Sequence, residues 1–201
     1  MKKKLPQVLL FYRAIAGPIS LFLVVMLHKL AIPMVSLLLL LGFLSDIFDG
    51  ILARKYKVST LKFRKADSWV DLFFWCCMAL VLLMLRPSVF HSWSLCIVLF
   101  AAVELYIQLL GKIRFGKSVS VHSLFSKMWS VFLFVVIEIL LYSEHDHGLL
   151  FYVFISGILA QAEAIVILLL LKWPESDIRG IGQVLRHRKG LPLKRSILLN
   201  G

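Results

Sequence analysis

Charged side chains are scarce in this chain, and acidic ones are the scarcest. Of 201 residues only 17% are charged, with 11 Asp and Glu against 23 Lys and Arg, whereas 60% are hydrophobic. An average soluble domain has about 45–50% apolar and about 25% charged residues. Because the apolar surplus falls into long blocks, the composition argues against a soluble domain and indicates an integral membrane protein.

Cysteine is also rare. The three cysteines are Cys76, Cys77 and Cys96, and all of them fall in apolar segments. Two are adjacent, and their spacing matches neither a metal-ligand pattern nor a disulfide framework. We therefore expect them to be packing residues.

Six apolar stretches approach the roughly 20 residues that a helix needs to cross a bilayer. The predicted spans are residues 8–28, 32–53, 67–86, 89–111, 122–143 and 149–171. Proline, glycine or charged residues separate them. The sequence therefore predicts an all-α, polytopic membrane protein in which six transmembrane helices form one domain over residues 1–171.

Basic residues predict the orientation, because short cytosolic loops carry an excess of Lys and Arg. With the N-terminus in the cytosol, the basic stretches at 2–4, 54–65 and 112–117 and the basic tail all lie inside. Only Lys29 and Arg86 then lie outside. Both termini are thus predicted to be cytosolic, and the net charge of +12 is explained without nucleic acid as a partner.

The tail at residues 172–201 is basic and carries Leu, Ile and Val at loose helical spacing. One interpretation is an amphipathic helix on anionic headgroups, where each basic residue contributes about 1 kcal/mol. The other is a partly disordered, solubilising tail.

Four of the few acidic residues are concentrated at the predicted cytosolic boundary: Asp46, Asp49, Asp67 and Asp71. On helices, their spacings of three and four residues place each pair on one face. Ionisable residues inside membrane spans are usually functional. Their mutual repulsion requires cations or protonation, and their oxygens suit Mg²⁺ or Mn²⁺. A divalent-cation transport or binding protein and a structural polar cluster are the alternatives at this point.

The residues around the aspartates resemble a family signature. From Asp46 the chain reads Asp-Ile-Phe-Asp-Gly-Ile-Leu-Ala-Arg, then eight residues, Phe63, three residues, Asp67, three residues and Asp71. This is similar to the D-x2-D-G-x2-A-R-x8-G-x3-D-x3-D pattern of the CDP-alcohol phosphatidyltransferases. Seven of the eight fixed positions agree, and Phe63 replaces the second glycine. Pro6 and Arg13 also resemble that family's Pro-Asn-x2-Thr-x2-Arg entry.

The resemblance implies an enzyme that moves a phosphatidyl group from CDP-diacylglycerol to a small polar alcohol and releases CMP. It implies that Asp46, Asp49, Asp67 and Asp71 hold two divalent ions, Mg²⁺ or Mn²⁺. It also implies that Asp71 is the general base.

The resemblance further implies a binding site for the CDP-lipid. Its residues would be Gly50, Ala53, Arg54 and Thr60. For Thr60, an exposed loop hydroxyl is the competing interpretation. Phe63 raises the possibility of a member that has lost activity.

The acceptor is less constrained by the sequence. Basic residues at the cytosolic entrance to the fifth predicted span would suit an acceptor with a phosphate, such as glycerol 3-phosphate, and we select Arg114, His122 and Lys127. Positive-inside anchoring is the competing explanation. Inositol phosphate, inositol, serine or an amino alcohol are alternative acceptors. The resemblance also implies a homodimer in the cytoplasmic (inner) membrane, with its active site facing the cytosol.

Overall fold

The computed structural model describes residues 4–56, 58, 60–116, 123–172, 178 and 180–191. These residues form helices and no strands. The α-helices are α1 Leu5–Leu27, α2 Ile32–Lys55, α3 Leu61–Leu85, α4 Pro87–Phe115, α5 Leu124–Tyr142, α6 Leu149–Leu170 and α7 Ile181–Arg188. The prediction of an all-α, polytopic membrane protein is confirmed.

Five helical stretches are long and apolar enough to cross a membrane, and the first runs over 51 residues, Leu5–Lys55. This stretch contains two helices, because a 3₁₀ turn at His28–Ala31 separates α1 from α2. His28 has a φ of +46° at the break, and α1 and α2 pack against each other. Counted separately, the helices α1 to α6 correspond to the six predicted spans.

Local sequence signals mark the helix ends. Pro6 and Pro33 occupy first-turn positions of α1 and α2, where the missing N–H has no intrahelical partner to lose. Gly148 precedes α6 with a φ of +72°. Thr60 caps α3 by accepting a hydrogen bond from the backbone N–H of Phe63, so this helix begins at Leu61, ahead of the predicted span at 67–86. Hydropathy marks only the apolar part of such a helix.

The chain divides into two compact units. The first comprises residues 1–91 and 137–145, and the second comprises residues 92–136 and 146–201. In the first unit α1 packs against α2 and α3. Two glycines leave space for neighbouring side chains: a methyl group added at Gly17 of α1 would lie 3.1 Å from Cys77 Cβ of α3, and one at Gly42 of α2 would lie 2.5 Å from Cζ of the Phe74 ring, which reaches across from α3.

In the second unit a hydrophobic core joins α4, α6 and the segment that contains α7. Its fully or almost fully buried residues are Ile107, Ile167, Leu168, Leu171, Ile178 and Val184. The described part of the predicted tail therefore includes a short helix with one buried side chain, Val184. The predicted domain boundary at residue 171 and a surface position for the tail remain predictions.

Candidate active site

The four predicted aspartates lie on two helices of the first unit. Asp46 and Asp49 are in the last turns of α2, and Asp67 and Asp71 are in the first turns of α3. Asp46 follows Gly42 by four residues and Asp71 precedes Phe74 by three, so each pair lies about one helical turn from the point where the Phe74 ring of α3 reaches Gly42 of α2. The packing of α1 against both α2 and α3 brings the two pairs together.

A buried arginine of α1 links all four carboxylates. Arg13 Nη1 donates to Asp46 Oδ1 at 2.6 Å and lies 2.8 Å from Asp71 Oδ1. Arg13 Nη2 donates to Asp49 Oδ2 at 3.0 Å and to Asp67 Oδ1 at 2.6 Å. The planar guanidinium, with its several fixed N–H donors, suits such multiple contacts. The aspartate cluster, defined as these four aspartates, therefore surrounds Arg13.

The aspartate cluster has a buried side and an accessible side. The side chains of Arg13 and Asp49 are 1% and 0% exposed, whereas those of Asp46, Asp67 and Asp71 are 43%, 25% and 31% exposed. A substrate can therefore approach the three partly exposed carboxylates. Arg13 and Asp49 form the covered base of the site.

The donor set fits a divalent cation. Asp46, Asp49 and Asp67 each offer an oxygen, and these atoms lie within 4.8 Å of one another. Asp49 Oδ1 is buried and accepts no hydrogen bond from the described residues, and such an orphaned carboxylate oxygen is a natural ligand for a cation. Arg13 compensates only part of the negative charge of four ionised carboxylates. Oxygen-only ligands favour Mg²⁺ or Mn²⁺ over softer metals.

The residues predicted to bind the CDP-lipid differ in accessibility. Arg54 extends back along α2, so that its Nη1 would lie 3.3 Å from a Cβ added at Gly50. Both residues are partly exposed. Ala53 is 1% exposed, and its methyl group is covered by protein. The side-chain oxygen of Thr60 accepts the hydrogen bond that caps α3, so its structural role is clear.

Phe63 lies in the first turn of α3. Among the described residues other than glycine, positive φ angles occur only at His28 and His147. The backbone at Phe63 is therefore an ordinary helical one, and glycine is not needed for its conformation. Phe63 therefore differs from the glycine of the family pattern only in the space that its benzyl group occupies.

The predicted acceptor residues belong to the second unit or lie outside the described residues. Arg114 Nη2 donates to the backbone oxygen of Leu171 at 3.2 Å, and its guanidinium carbon lies 5.6 Å from the centre of the Phe115 ring. Lys127 is in the first turn of α5 and is partly buried. His122 lies outside the described residues.

Sequence reasoning assigned no role to Arg13 beyond its resemblance to a family position. The signal that could have found it is the one used for the aspartates, because a charged residue inside an apolar span usually has a partner or a function. Its sequence separations from Asp46 and Asp67 are 33 and 54 residues. Sequence spacing alone cannot pair residues so far apart.

The sequence pattern of the family described as CDP-alcohol phosphatidyltransferase matches residues 3–173 of the chain. The match includes α1 to α6 and therefore Arg13 and the whole aspartate cluster. Searches for similar proteins of curated function and for similar solved structures found no match.

Proposed function

The chain belongs to the CDP-alcohol phosphatidyltransferase family, and on this premise we propose that it transfers a phosphatidyl group from CDP-diacylglycerol to a small polar alcohol. Glycerol 3-phosphate is our first choice of acceptor. The observation that carries the proposal is the aspartate cluster, in which two helices present four carboxylates with three of them accessible. The reaction joins the acceptor oxygen to the lipid-side phosphorus, breaks the bond from that phosphorus to CMP, and releases CMP.

We assign the general base to Asp71. Its side chain is partly exposed and can take the hydroxyl proton of the acceptor as the new oxygen–phosphorus bond forms. Asp46, Asp49, Asp67 and Asp71 would hold Mg²⁺ or Mn²⁺. When bound, two such ions neutralise charge on the diphosphate and on the attacking and leaving oxygens.

For the CDP-lipid, the surface formed by Gly50 and Arg54 is the best supported part. The small residue leaves room beside the helix, and a guanidinium can donate two parallel hydrogen bonds to phosphate oxygens. Ala53 is covered by protein in this structure, and its part in the CDP-lipid site stays a prediction. Thr60 contributes by capping α3, which fixes the helix that carries Asp67 and Asp71.

The choice of glycerol 3-phosphate depends on the basic residues Arg114, His122 and Lys127. A phosphate-bearing acceptor needs cationic partners, and a partly buried Lys127 at a helix start is a suitable one. Loss of the Lys127 ammonium should therefore raise KM for glycerol 3-phosphate and leave KM for CDP-diacylglycerol unchanged. The competing role, anchoring at the membrane surface, predicts no change in either KM.

Orientation and assembly are parts of the same proposal. Basic residues favour an active site on the cytosolic face of the inner membrane, and the family resemblance favours a homodimer. Accessibility of cysteines introduced near Lys2 and Lys29 to a membrane-impermeant reagent would test the orientation. Only the second should react from outside the cell.

The decisive experiment is acceptor-dependent CMP release. Purified protein in lipid nanodiscs would receive CDP-diacylglycerol, Mg²⁺ or Mn²⁺, and in turn glycerol 3-phosphate, inositol phosphate, inositol, serine and ethanolamine. We expect CMP release with glycerol 3-phosphate. Release with another acceptor would correct the acceptor alone, whereas no release with any acceptor would favour a cation-binding protein or an inactive family member.

The same CMP-release assay also tests the effect of Phe63. The Phe63→Gly variant restores the family pattern and removes the benzyl group, so an impaired nucleotide site should gain rate. An unchanged rate would show that Phe63 is compatible with full activity.

A further inference from the structure

Arg13 holds an unusual position for a basic residue in a proposed cation site. Its two terminal nitrogens lie 2.6–3.0 Å from one oxygen of each of the four aspartates. We propose that Arg13 is a built-in counter-ion that competes with the divalent cation for the aspartate cluster. This proposal rests on the proposed function, because it assumes that the aspartates bind divalent ions.

The competition follows from the shared ligands. Asp46, Asp49 and Asp67 are the carboxylates whose oxygens converge within 4.8 Å, and each also contacts the guanidinium. A cation bound by these carboxylates would compete with the guanidinium for their oxygens and would add a second positive charge beside Arg13. Charges at such distances interact strongly away from bulk water. Guanidinium contacts and cation contacts therefore weaken each other.

Asp49 shows how the two partners can share one residue. Its Oδ2 accepts from Arg13 at 3.0 Å, while its Oδ1 is buried and accepts no hydrogen bond from the described residues. The guanidinium thus donates to only one of the two oxygens of this fully buried carboxylate. The other oxygen remains for the cation, so we expect Arg13 to reduce cation affinity without abolishing the site.

Because Arg13 is buried, it is not placed to bind substrate directly. Its side chain is 1% exposed, and both terminal nitrogens are engaged by carboxylates. Gly17, one turn further along α1, packs against Cys77 of α3, so the backbone that carries Arg13 is held close to the helix of Asp67 and Asp71. Arg13 is a positioning residue that draws the carboxylates together and neutralises part of their charge.

The test is Mn²⁺ binding, measured by calorimetry and by the loss of the free-ion electron paramagnetic resonance signal, on wild type and Arg13→Gln in nanodiscs. We expect Arg13→Gln to bind Mn²⁺ at least about tenfold more tightly, because a nearby positive charge is removed. In chelator its unfolding temperature should fall by roughly 5–15 °C, since four carboxylates lose their counter-ion. Saturating Mn²⁺ should restore most of that loss.

The matched control is Arg86→Gln, which alters another buried arginine of the first unit, one that contacts backbone carbonyls. It should lower the unfolding temperature equally with and without Mn²⁺ and leave Mn²⁺ affinity unchanged. A purely structural Arg13 would behave in the same way. Unchanged or weaker Mn²⁺ binding by Arg13→Gln, with normal binding by wild type, would overturn the proposal while the proposed function stands.

If wild type binds no Mn²⁺, both this proposal and the metal-dependent function are overturned. If Arg13→Gln cannot be purified even with Mn²⁺, the Mn²⁺ affinity of Arg13→Lys tests the proposal in its place. A lysine keeps the charge but lacks the planar pair of terminal nitrogens, so its Mn²⁺ affinity should exceed that of wild type. An equal or lower affinity would overturn the proposal.

Discussion

Among its described residues, the first unit contains two buried arginines with different partners. Arg13 is 1% exposed and is surrounded by four carboxylates, whereas Arg86 is 6% exposed and donates to backbone oxygens of Leu85, Leu140 and Leu141. Arg86 thereby satisfies carbonyls at the C-terminal end of α5, which have no intrahelical donor. A favourable helix dipole adds to this contact.

The two sites differ in how much negative charge remains after each guanidinium has made its contacts. Around Arg86 the hydrogen-bond partners are neutral carbonyls. The guanidinium therefore caps a helix end, and these partners carry no negative charge that would bind a further cation. Around Arg13 the partners carry more negative charge than one guanidinium can offset, and Asp49 Oδ1 lacks a donor among the described residues. Both sites bury a guanidinium, but only the site around Arg13 leaves negative charge that a further cation could balance.

The largest expected effect concerns the site around Arg13 and is a loss of activity. Asp71→Asn keeps the size of the side chain but removes the proposed base, so CMP release should fall by about 100- to 10 000-fold. Asp146→Asn is the matched control, because Asp146 lies outside the cluster and accepts from Trp93 Nε1 at 3.0 Å. The comparison would fail if Asp71→Asn kept turnover, or if both variants lost it alike.

Arg86→Gln should affect stability alone. Removal of hydrogen bonds from a charged donor to buried carbonyls costs about 1.5–3 kcal/mol in the free energy of unfolding. The rate per folded molecule should not change, because Arg86 follows the C-terminal end of α3, about four helical turns from Asp71. Denaturation followed by tryptophan fluorescence, together with CMP release from the folded fraction, checks both parts. A loss of rate beyond the loss of folded protein would contradict the structural role.

Gly42 tests the packing of the Phe74 ring of α3 against α2, one helical turn from the aspartate cluster. In Gly42→Ala the new methyl group would lie 2.5 Å from Phe74 Cζ, so either the ring or α2 must move, at about 1–3 kcal/mol. Because Asp46 lies one turn away, Mn²⁺ affinity should also weaken. Gly182→Ala is the control, since nothing lies within 4 Å of its added Cβ; it should change stability by less than about 1 kcal/mol and leave Mn²⁺ binding intact.

The smallest effect is expected at the exposed ion pair of the first unit. Lys29 Nζ donates to Glu144 Oε1 at 2.7 Å, and this hydrogen bond, together with the charge of Lys29, lowers the pKa of the Glu144 carboxyl. Any stabilisation is therefore present at neutral pH and disappears as the pH falls from about 4.3 through the lowered pKa. Because water and salt screen such a pair, Lys29→Ala should leave the unfolding temperature unchanged at physiological salt. A clear shift would contradict this.

Much of the fold was predictable because it depends on local signals. Apolar run length and proline positions predicted α1 to α6, including the break near Pro33. The structure differs at the polar flanks: α3 begins at Leu61 because Thr60 caps it, and α4 continues to Phe115. Hydropathy cannot show either extension, because both lie outside the apolar runs.

The site was only partly predictable. Spacings of three and four residues predicted that the aspartates pair on helix faces, and their common boundary predicted that the pairs meet. The contact of Arg13 with all four depends on α1 packing against α2 and α3 through Gly17 and its neighbours, which no spacing in the sequence encodes. The covered methyl group of Ala53 is likewise a consequence of tertiary packing.

The central claim is that the aspartate cluster is a divalent-cation centre for phosphatidyl transfer. Its most direct test is CMP release from CDP-diacylglycerol by wild type and Asp49→Asn, in chelator and across a Mn²⁺ titration. We predict no release in chelator, saturable recovery with Mn²⁺ in wild type, and loss of that recovery in Asp49→Asn. Acceptor-dependent release that persists in chelator, or that Asp49→Asn retains in full, would contradict the claim.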